Sequence, residues 1–273
     1  MRYLRLLVTG GTLLFLAGCF QTTTVVRVNP DGSGTVEEKM LLGKKMVARI
    51  NEMMRGLAGD TGEKPKPLEI FEPDKLREKA RTMGAGVTYR SGEKVETAEY
   101  TGYTATYAFT DINRLQLSRE SGAPTGESKA DSLPLTFHFR KGSPATLTIV
   151  QTRSPAAGKT AAAPAEEPGP APAVEPRMSD ADAEQFAEMI TGMKFVVAVE
   201  VNGTIVSTNA THRSGNRLTI LDLDLEKLGA AAPELEKLSR LQSGSMEDAR
   251  ELAGKIPGLL VDLNDTVTVV FTK

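Results

Sequence analysis

The feature that most constrains the fold is the stretch at residues 154–177, where eight alanines and six prolines fall within 24 residues. Proline interrupts helices and central strands, because its ring fixes φ and its nitrogen cannot donate a hydrogen bond. Alanine buries too little apolar surface to offset the entropy of ordering the chain. The stretch therefore cannot belong to a packed core. It is either a disordered insertion within one body or a linker between two domains, and it separates residues 19–153 from residues 178–273.

Both of these parts carry the pattern of antiparallel hairpins. Runs of alternating β-branched and polar residues flank turn-forming sequences at residues 29–34, 141–144 and 202–203. The Asn-Gly pair at 202–203 is the strongest turn signal. A further turn at 214–216 extends this third hairpin into a predicted three-stranded meander. The alternation over 103–109 predicts another strand.

Helical spacing appears between the strands. After Gly43 a helix is predicted, and its apolar residues are Met46, Val47, Ile50, Met53, Met54 and Leu57. A second helix is predicted from Pro73, with Gly84 at its end, and its apolar face is Leu76, Ala80 and Met83. Further helices are predicted after Ser179 and within 225–256. The sequence thus predicts an α+β fold, with a curved antiparallel sheet of hairpins and meanders packed with several amphipathic helices.

The first residues have the order of a secretion signal. Arg2 and Arg5 precede an apolar run over 6–16, and small residues follow before Cys19. The motif Leu16-Ala17-Gly18-Cys19 resembles the bacterial lipobox. This resemblance implies that residues 1–18 are a cleaved lipoprotein signal peptide and that Cys19, acylated with diacylglycerol and a further palmitate-like chain, is the first mature residue. An uncleaved anchor helix with an ordinary cysteine is the alternative.

The sequence also predicts where the mature protein is held. Later residues contain no other apolar run of about 18 residues, so the body is tethered to the membrane through Cys19 and does not span it. Phe20 follows the cysteine, at the position where an aspartate would signal retention at the inner membrane. We therefore expect a protein of the bacterial cell envelope, on the outer membrane facing the periplasm if the host has two membranes.

Composition excludes several classes of function. One cysteine and two histidines, His138 and His212, cannot form a Cys/His metal cluster. A formal net charge of −2 argues against a general nucleic-acid partner. We therefore predict no metal, no cofactor and no nucleic-acid partner.

No pattern in the sequence favours catalysis. His138 and His212 are expected on the surface, apart from any serine on a sharp turn. The acidic pairs Glu37–Glu38 and Asp222–Asp224 lie on predicted strands, where solvated carboxylates are expected, rather than in two contrasting environments. We therefore predict no catalytic residues and a protein that is not an enzyme.

The methionine-rich helix after Gly43 is the one candidate binding element. Methionine side chains adapt to irregular apolar ligands, so a helix facing a curved sheet could form the wall of a lipid pocket. The residues of this wall are Met46, Ile50, Met53 and Met54. Packing in the hydrophobic core explains the same pattern, and both interpretations stay open here.

Three short stretches carry a resemblance to a known family. They are VVRVNPDGSGTV, GYTATYAFTDINRL and GTIVSTNATHRSGNRLTILDLDL, and the last contains Ser207, Thr208, Asn209, Gly215 and Asn216. In these stretches the chain resembles the LppM-type bacterial lipoprotein domain. The resemblance implies one α+β body around an antiparallel sheet, lipid or glycolipid binding, and no catalytic residues. Ile220 or Leu221 stands where family members often have tryptophan, which weakens any transfer of a specific ligand site.

A single body favours the interpretation of residues 154–177 as an insertion. We therefore expect a lipid-anchored envelope lipoprotein that acts as a non-catalytic binding module for a lipid or another hydrophobic ligand. The alternative is a structural or assembly lipoprotein that docks another envelope protein through exposed strand edges or through residues 225–256.

Overall fold

The computed structural model describes residues 20–57, 67–117, 135–151, 192–229, 231 and 254–273. The strands are β1 (Phe20–Val28), β2 (Gly34–Gly43), β3 (Thr88–Glu96), β4 (Tyr100–Phe109), β5 (Gln116–Leu117), β6 (Leu135–Arg140), β7 (Ala145–Gln151), β8 (Lys194–Val201), β9 (Thr204–Thr208), β10 (Arg213–Ser214), β11 (Arg217–Asp224), β12 (Leu259–Val261) and β13 (Thr266–Thr272). The helices are α1 (Lys44–Leu57), α2 (Pro73–Thr82) and α3 (Leu225–Gly229), with a short 3-10 helix at Ile112–Arg114.

The strands form two sheets. Sheet A has the order β10-β11-β8-β1-β2-β4-β3, with β12 beside β11, and sheet B has the order β5-β6-β7-β13-β9. Neighbouring strands are antiparallel, except that β1 runs parallel to β8 with Gln21 opposite Lys194. The predicted α+β class is broadly confirmed. The sheets contain more strands than expected, and the described residues contain fewer helices. The helix predicted after Ser179, the tract 154–177, the signal peptide and most of 225–256 lie outside the described residues.

Two of the predicted hairpins are confirmed. Strands β1 and β2 pair with Val28 opposite Gly34, and β6 pairs with β7 in the same antiparallel way. In the first turn the Asp31 carboxylate accepts hydrogen bonds from the Ser33 amide and hydroxyl at 2.9 and 2.7 Å. Such a side-chain-to-backbone bond two residues on is what favours aspartate in turns. Asp31 and Ser33 thus stabilise the turn of the predicted hairpin.

The hairpin predicted at Asn202-Gly203 is wrong, and so is the meander built on it. Strand β8 lies in sheet A and β9 lies in sheet B, while β8 pairs directly with β11. A two-residue type I′ hairpin needs positive φ at both central residues, and neither Asn202 nor Gly203 has it. The Asn202 amide instead donates to the Val28 carbonyl at 2.8 Å. The Asn-Gly pair is therefore a corner at which the chain crosses between the sheets.

The two sheets share one hydrophobic core. A single cluster of buried side chains contains Val26, Val36 and Val199 of sheet A together with Leu147 and Val269 of sheet B. The register places Val36 opposite Val26 on β1 and opposite Tyr107 on β4, so these residues point from the same face of sheet A. We call this the inner face, and sheet B covers it from this side.

The opposite, outer face of sheet A carries a row of ion pairs. The Arg27 guanidinium of β1 pairs with Glu37 of β2 and with Glu200 of β8, and Arg217 of β11 donates to the same Glu200 carboxylate at 2.8 Å. Partial burial raises the pKa of Glu200, but the hydrogen bonds from the two arginines outweigh it and lower the pKa overall. The row therefore links the four strands more strongly when Glu200 is ionised.

We expect this row to make stability depend on pH. Because the pKa of Glu200 is lower in the folded chain, its contribution is complete above the ordinary glutamate value of 4.5 and is lost as pH falls through the folded value. Glu200→Gln should cost about 1.5 kcal/mol at pH 7, the worth of a charged hydrogen bond. The cost should shrink below pH 4.5, as measured by urea unfolding. Glu226→Gln, on the exposed surface of α3, serves as the control, and an equal cost of Glu200→Gln at pH 7 and pH 3 would contradict the assignment.

Candidate functional site

Sheet B leaves part of the inner face of sheet A incompletely covered. Toward the start of β1, Thr22 lies opposite Met40 of β2 and beside Phe195 of β8. One step further along, Thr24 lies beside Val197. These five side chains are half-buried, whereas Val26 and Val199 in the next row are fully buried. We call Thr22, Thr24, Met40, Phe195 and Val197 the open strip.

Helix α1 begins at the end of sheet A that lies next to the open strip. It starts at Lys44, directly after β2, and the Lys44 amide donates to the Glu99 carbonyl at 2.8 Å. The side chain of Asn51 accepts a hydrogen bond from the Leu68 amide at 2.8 Å, which holds the segment before α2 against the helix. From that segment the Phe71 ring reaches Tyr103 of β4, with ring centroids 6.4 Å apart. Helix α1 and this segment thus lie at the same end of the molecule.

The predicted wall residues all lie on α1, and none is in the core. Met46, Ile50 and Met54 are half-buried, and Met53 is 52% exposed. Among residues 44–56, no side chain of the helix is buried. These four residues are therefore not part of the buried core, although three of them are partly covered. The ligand-wall interpretation stays a prediction.

A buried polar cluster lies beside the open strip, and the sequence interpretation missed it. Glu38 of β2 was expected to be solvated, yet its side chain is only 6% exposed. Its carboxylate accepts hydrogen bonds from the Tyr103 hydroxyl at 2.6 Å and from Lys79 Nζ at 2.9 Å. The signal that could have found it is alternation, since Val36 and Met40 place Glu38 on the inner face.

Helix α2 supplies the lysine of this cluster, and its construction was predicted correctly. Pro73 occupies its first turn, where a missing N–H costs nothing. Leu76 and Ala80 are buried against the sheet, and Gly84 has a φ of 132° just beyond the helix. Lys79 is next to the buried Ala80 on α2, and its ammonium group reaches Glu38 of sheet A.

Tyr107 adds an unusual group to the same face. Its side chain is fully buried, and its hydroxyl has no hydrogen-bond partner within the described part of the chain. Burial raises the pKa of Tyr107, and the nearby Glu38 and Tyr89 raise it further. The Tyr89 ring packs on it edge-on at 6.1 Å. The hydroxyl is thus a protonated, unsatisfied donor close to the Glu38 cluster.

Asn209 and Thr211, which lie in the last stretch of the sequence resemblance, have a structural role here. Asn209 donates to the Thr266 carbonyl and accepts from the Thr268 amide at 2.7 Å, which fastens the end of β9 to β13. Asp262, 1% exposed, accepts from the Thr211 amide at 2.8 Å and from Asn264. These residues therefore hold β9 and the segment after it in place, and they are not part of the open strip.

The remaining candidates do not join the open strip or the Glu38 cluster. His138 is exposed and His212 is half-buried. Asp222 and Asp224 lie near Lys194 and Lys227, at 3.8 and 3.5 Å. Among the described residues, no three His, Cys, Asp or Glu side chains come together as metal ligands. Cys19 lies outside the described residues, and its predicted lipidation stays a prediction.

The comparisons with known proteins give a distant structural similarity. No protein-family model matches the chain, and no curated protein matches it. A solved structure that aligns with it is the NMR structure of the folded domain of LppM from Mycobacterium tuberculosis. The alignment covers 96% of this chain and 95% of that chain, with 9% sequence identity and a TM-score of 0.33. This is a distant similarity of fold, and it does not concern the lipobox.

Across the described ranges, none of the helices has the length and apolar character needed to cross a membrane.

Proposed function

We propose that the protein is a lipid-anchored lipoprotein of the bacterial envelope and that its body binds a lipid or another hydrophobic ligand without catalysing a reaction. The observation that carries the proposal is the open strip, where Met40, Phe195 and Val197 are only half-covered on the face that elsewhere forms the core. Neighbouring apolar side chains that are left half-covered on such a face are typical of binding surfaces.

The polar cluster beside the strip suggests the kind of ligand. Binding sites for small molecules are mainly apolar, with a few fixed polar groups that orient the ligand. Glu38 pairs with Ala105 on β4 and with Thr24 on β1. Met40 follows it two residues later on β2, so both side chains lie on the inner face. Lys79 is 33% exposed and can meet a polar group from solvent. An amphipathic molecule, with its chain along the strip and its polar end at Lys79, fits this arrangement best.

Cys19 is the proposed site of membrane attachment. Acyl chains on this residue would hold the body at a membrane surface, and the residue after it, Phe20, favours the outer membrane facing the periplasm in a host with two membranes. A hydrophobic ligand would then be within reach of the bilayer that holds the protein.

Native mass spectrometry tests ligand binding directly. The sample is the body from residue 20 onward, which keeps every described strand and helix. It is purified without detergent, and lipids are then extracted from it for identification. We expect an apolar molecule at about one per chain, because binding would cover the half-buried apolar side chains of the open strip. Ile50→Asp, on the half-buried side of α1, should lower its occupancy severalfold.

The matched control is Val206→Asp, which places the same charge on a 60% exposed valine of β9. It should leave occupancy unchanged, and thermal unfolding should show that both variants fold. A body that carries no apolar molecule under any condition would overturn ligand binding.

A docking role is the second candidate, and two exposed residues favour it. Val206 on β9 and Leu260 on β12, 60% and 42% exposed, are large apolar side chains on strands at the edges of their sheets. Edge strands offer unpaired backbone groups to another chain. A photo-crosslinking residue at Val206 in the native envelope would capture one protein reproducibly if this surface docks a partner.

A further inference from the structure

The start of α1 lies close to the predicted lipid anchor. Phe20, the first described residue, pairs with Leu42 across β1 and β2, and α1 begins two residues later at Lys44. Paired Cα atoms lie roughly 5 Å apart, two strand residues span about 7 Å, and Cys19 is one peptide unit, about 3.8 Å, from Phe20. The first turn of α1 is therefore within roughly 16 Å of the residue that would carry the acyl chains.

The apolar side of α1 lies outside the hydrophobic core and is only partly covered. Met46, Val47, Ile50 and Met54 are half-buried, and Met53 is the most exposed of the apolar residues on the helix at 52%. With about 100° between successive residues, these five positions fall on one side of the helix. Asn51, at one margin of this side, is held by Leu68. The helix is thus attached along one margin and open along the other.

The charge of α1 differs from the charge of the whole chain. The helix contains Lys44, Lys45, Arg49 and Arg55 against the single acid Glu52, a net charge of +3, while the full chain has −2. Lys44 pairs with Glu96 of β3 at 2.8 Å, so part of this charge is balanced within the protein. Lysines and arginines that flank an apolar side are typical of helices that lie in a membrane interface. At 14 residues, or about 21 Å, the helix is long enough to lie on a bilayer and too short to cross one.

We infer that α1 lies on the surface of the anchoring membrane, with Met53 and its apolar neighbours at the acyl boundary and its basic residues among anionic head groups. The inference rests on the proposed attachment at Cys19. The acyl chains proposed on Cys19 would keep α1 at the bilayer surface, where a basic amphipathic helix binds through its apolar side and through attraction to anionic lipids. Contact along α1 would also place the open strip next to the bilayer.

The chain itself offers a clean probe of this contact, because it has no tryptophan and one cysteine. The chain from residue 19 onward is coupled through the Cys19 thiol to a maleimide lipid in vesicles of phosphatidylglycerol and phosphatidylethanolamine. This coupling tests α1 whether or not cells lipidate Cys19, and the mass of the protein made in cells tests lipidation separately. Single-tryptophan variants are then compared in vesicles with and without brominated acyl chains.

Met53→Trp should shift its emission to the blue and lose at least half of its intensity to the brominated chains. Val206→Trp, at a similarly exposed position on sheet B, is the matched control and should lose less than one tenth. Lys45→Glu combined with Met53→Trp should reduce the quenching about twofold, and so should phosphatidylcholine vesicles. Equal quenching of Met53→Trp and Val206→Trp would overturn the inference, and ligand occupancy of the same body would still report on the proposed function.

Discussion

Gly203→Ala is expected to destabilise the protein by about 3 kcal/mol, the upper part of the usual range for overpacking a filled site. A Cβ at residue 203 would overlap the backbone carbonyl of Thr272 in β13 and press on the Phe271 ring. Backbone in a central strand cannot move aside as a flexible side chain can. The corner would have to open, and with it the hydrogen bonds from Asn202 to Val28 and from Gly203 to Val201.

Chemical denaturation and thermal unfolding measure this effect. For a chain of this size, 3 kcal/mol corresponds to a drop in melting temperature of roughly 6–12 °C. Gly56→Ala is the matched control, because a Cβ there meets nothing within 4 Å and alanine favours a helix. It should be neutral or stabilising by up to about 1 kcal/mol. A Gly203→Ala variant as stable as Gly56→Ala would show that the corner is not tightly packed.

The same corner shows why one strong sequence signal failed. Asn-Gly between two alternating runs favours a hairpin because both residues tolerate positive φ. In this fold the glycine is needed for another reason, the close approach of β13, which comes from the far end of the sequence. Local turn preference could not reveal that requirement. The β1–β2 turn was predicted correctly because Asp31 and Ser33 fix it with local hydrogen bonds.

Helix α1 shows the same division between local and distant information. Its spacing predicted the helix and its apolar residues correctly, since periodicity is a property of the segment itself. What those residues face depends on which elements reach them. The core extends over α2, where Leu76 and Ala80 are buried, but does not reach Met53. Periodicity cannot distinguish a helix packed on a core from one packed on another partner.

The buried Glu38 was predictable in part. The parity of β2 places it on the inner face, because Val36 and Met40 flank it at two-residue spacing. Its partners were not predictable, since Lys79 comes from α2 and Tyr103 from β4, 41 and 65 residues away. A carboxylate on a buried face requires such partners. The alternation along β2 therefore implies a cation, from elsewhere in the chain, that pairs with Glu38.

Lys79→Met is expected to cost about 3 kcal/mol, the lower end of the roughly 3–5 kcal/mol lost when one partner of a buried ion pair is removed. Glu38 is 6% exposed, so without Lys79 its charge would retain only the Tyr103 hydroxyl among the hydrogen-bond partners described for it. Methionine keeps most of the aliphatic length of lysine, so the loss reports the charge. Urea unfolding at neutral pH measures it.

Lys75→Met is the matched control on the same helix, because Lys75 pairs with Glu72 but is 72% exposed. Exposed pairs contribute about 0–1 kcal/mol, so this variant should remain close to the parent. Adding Glu38→Gln to Lys79→Met should recover much of the loss, since a neutral amide can still accept from Tyr103 without an unpaired charge. If Lys79→Met costs no more than Lys75→Met, or if Glu38→Gln recovers nothing, then Lys79 does not compensate the buried charge. The polar end of the proposed ligand site would then need another basis.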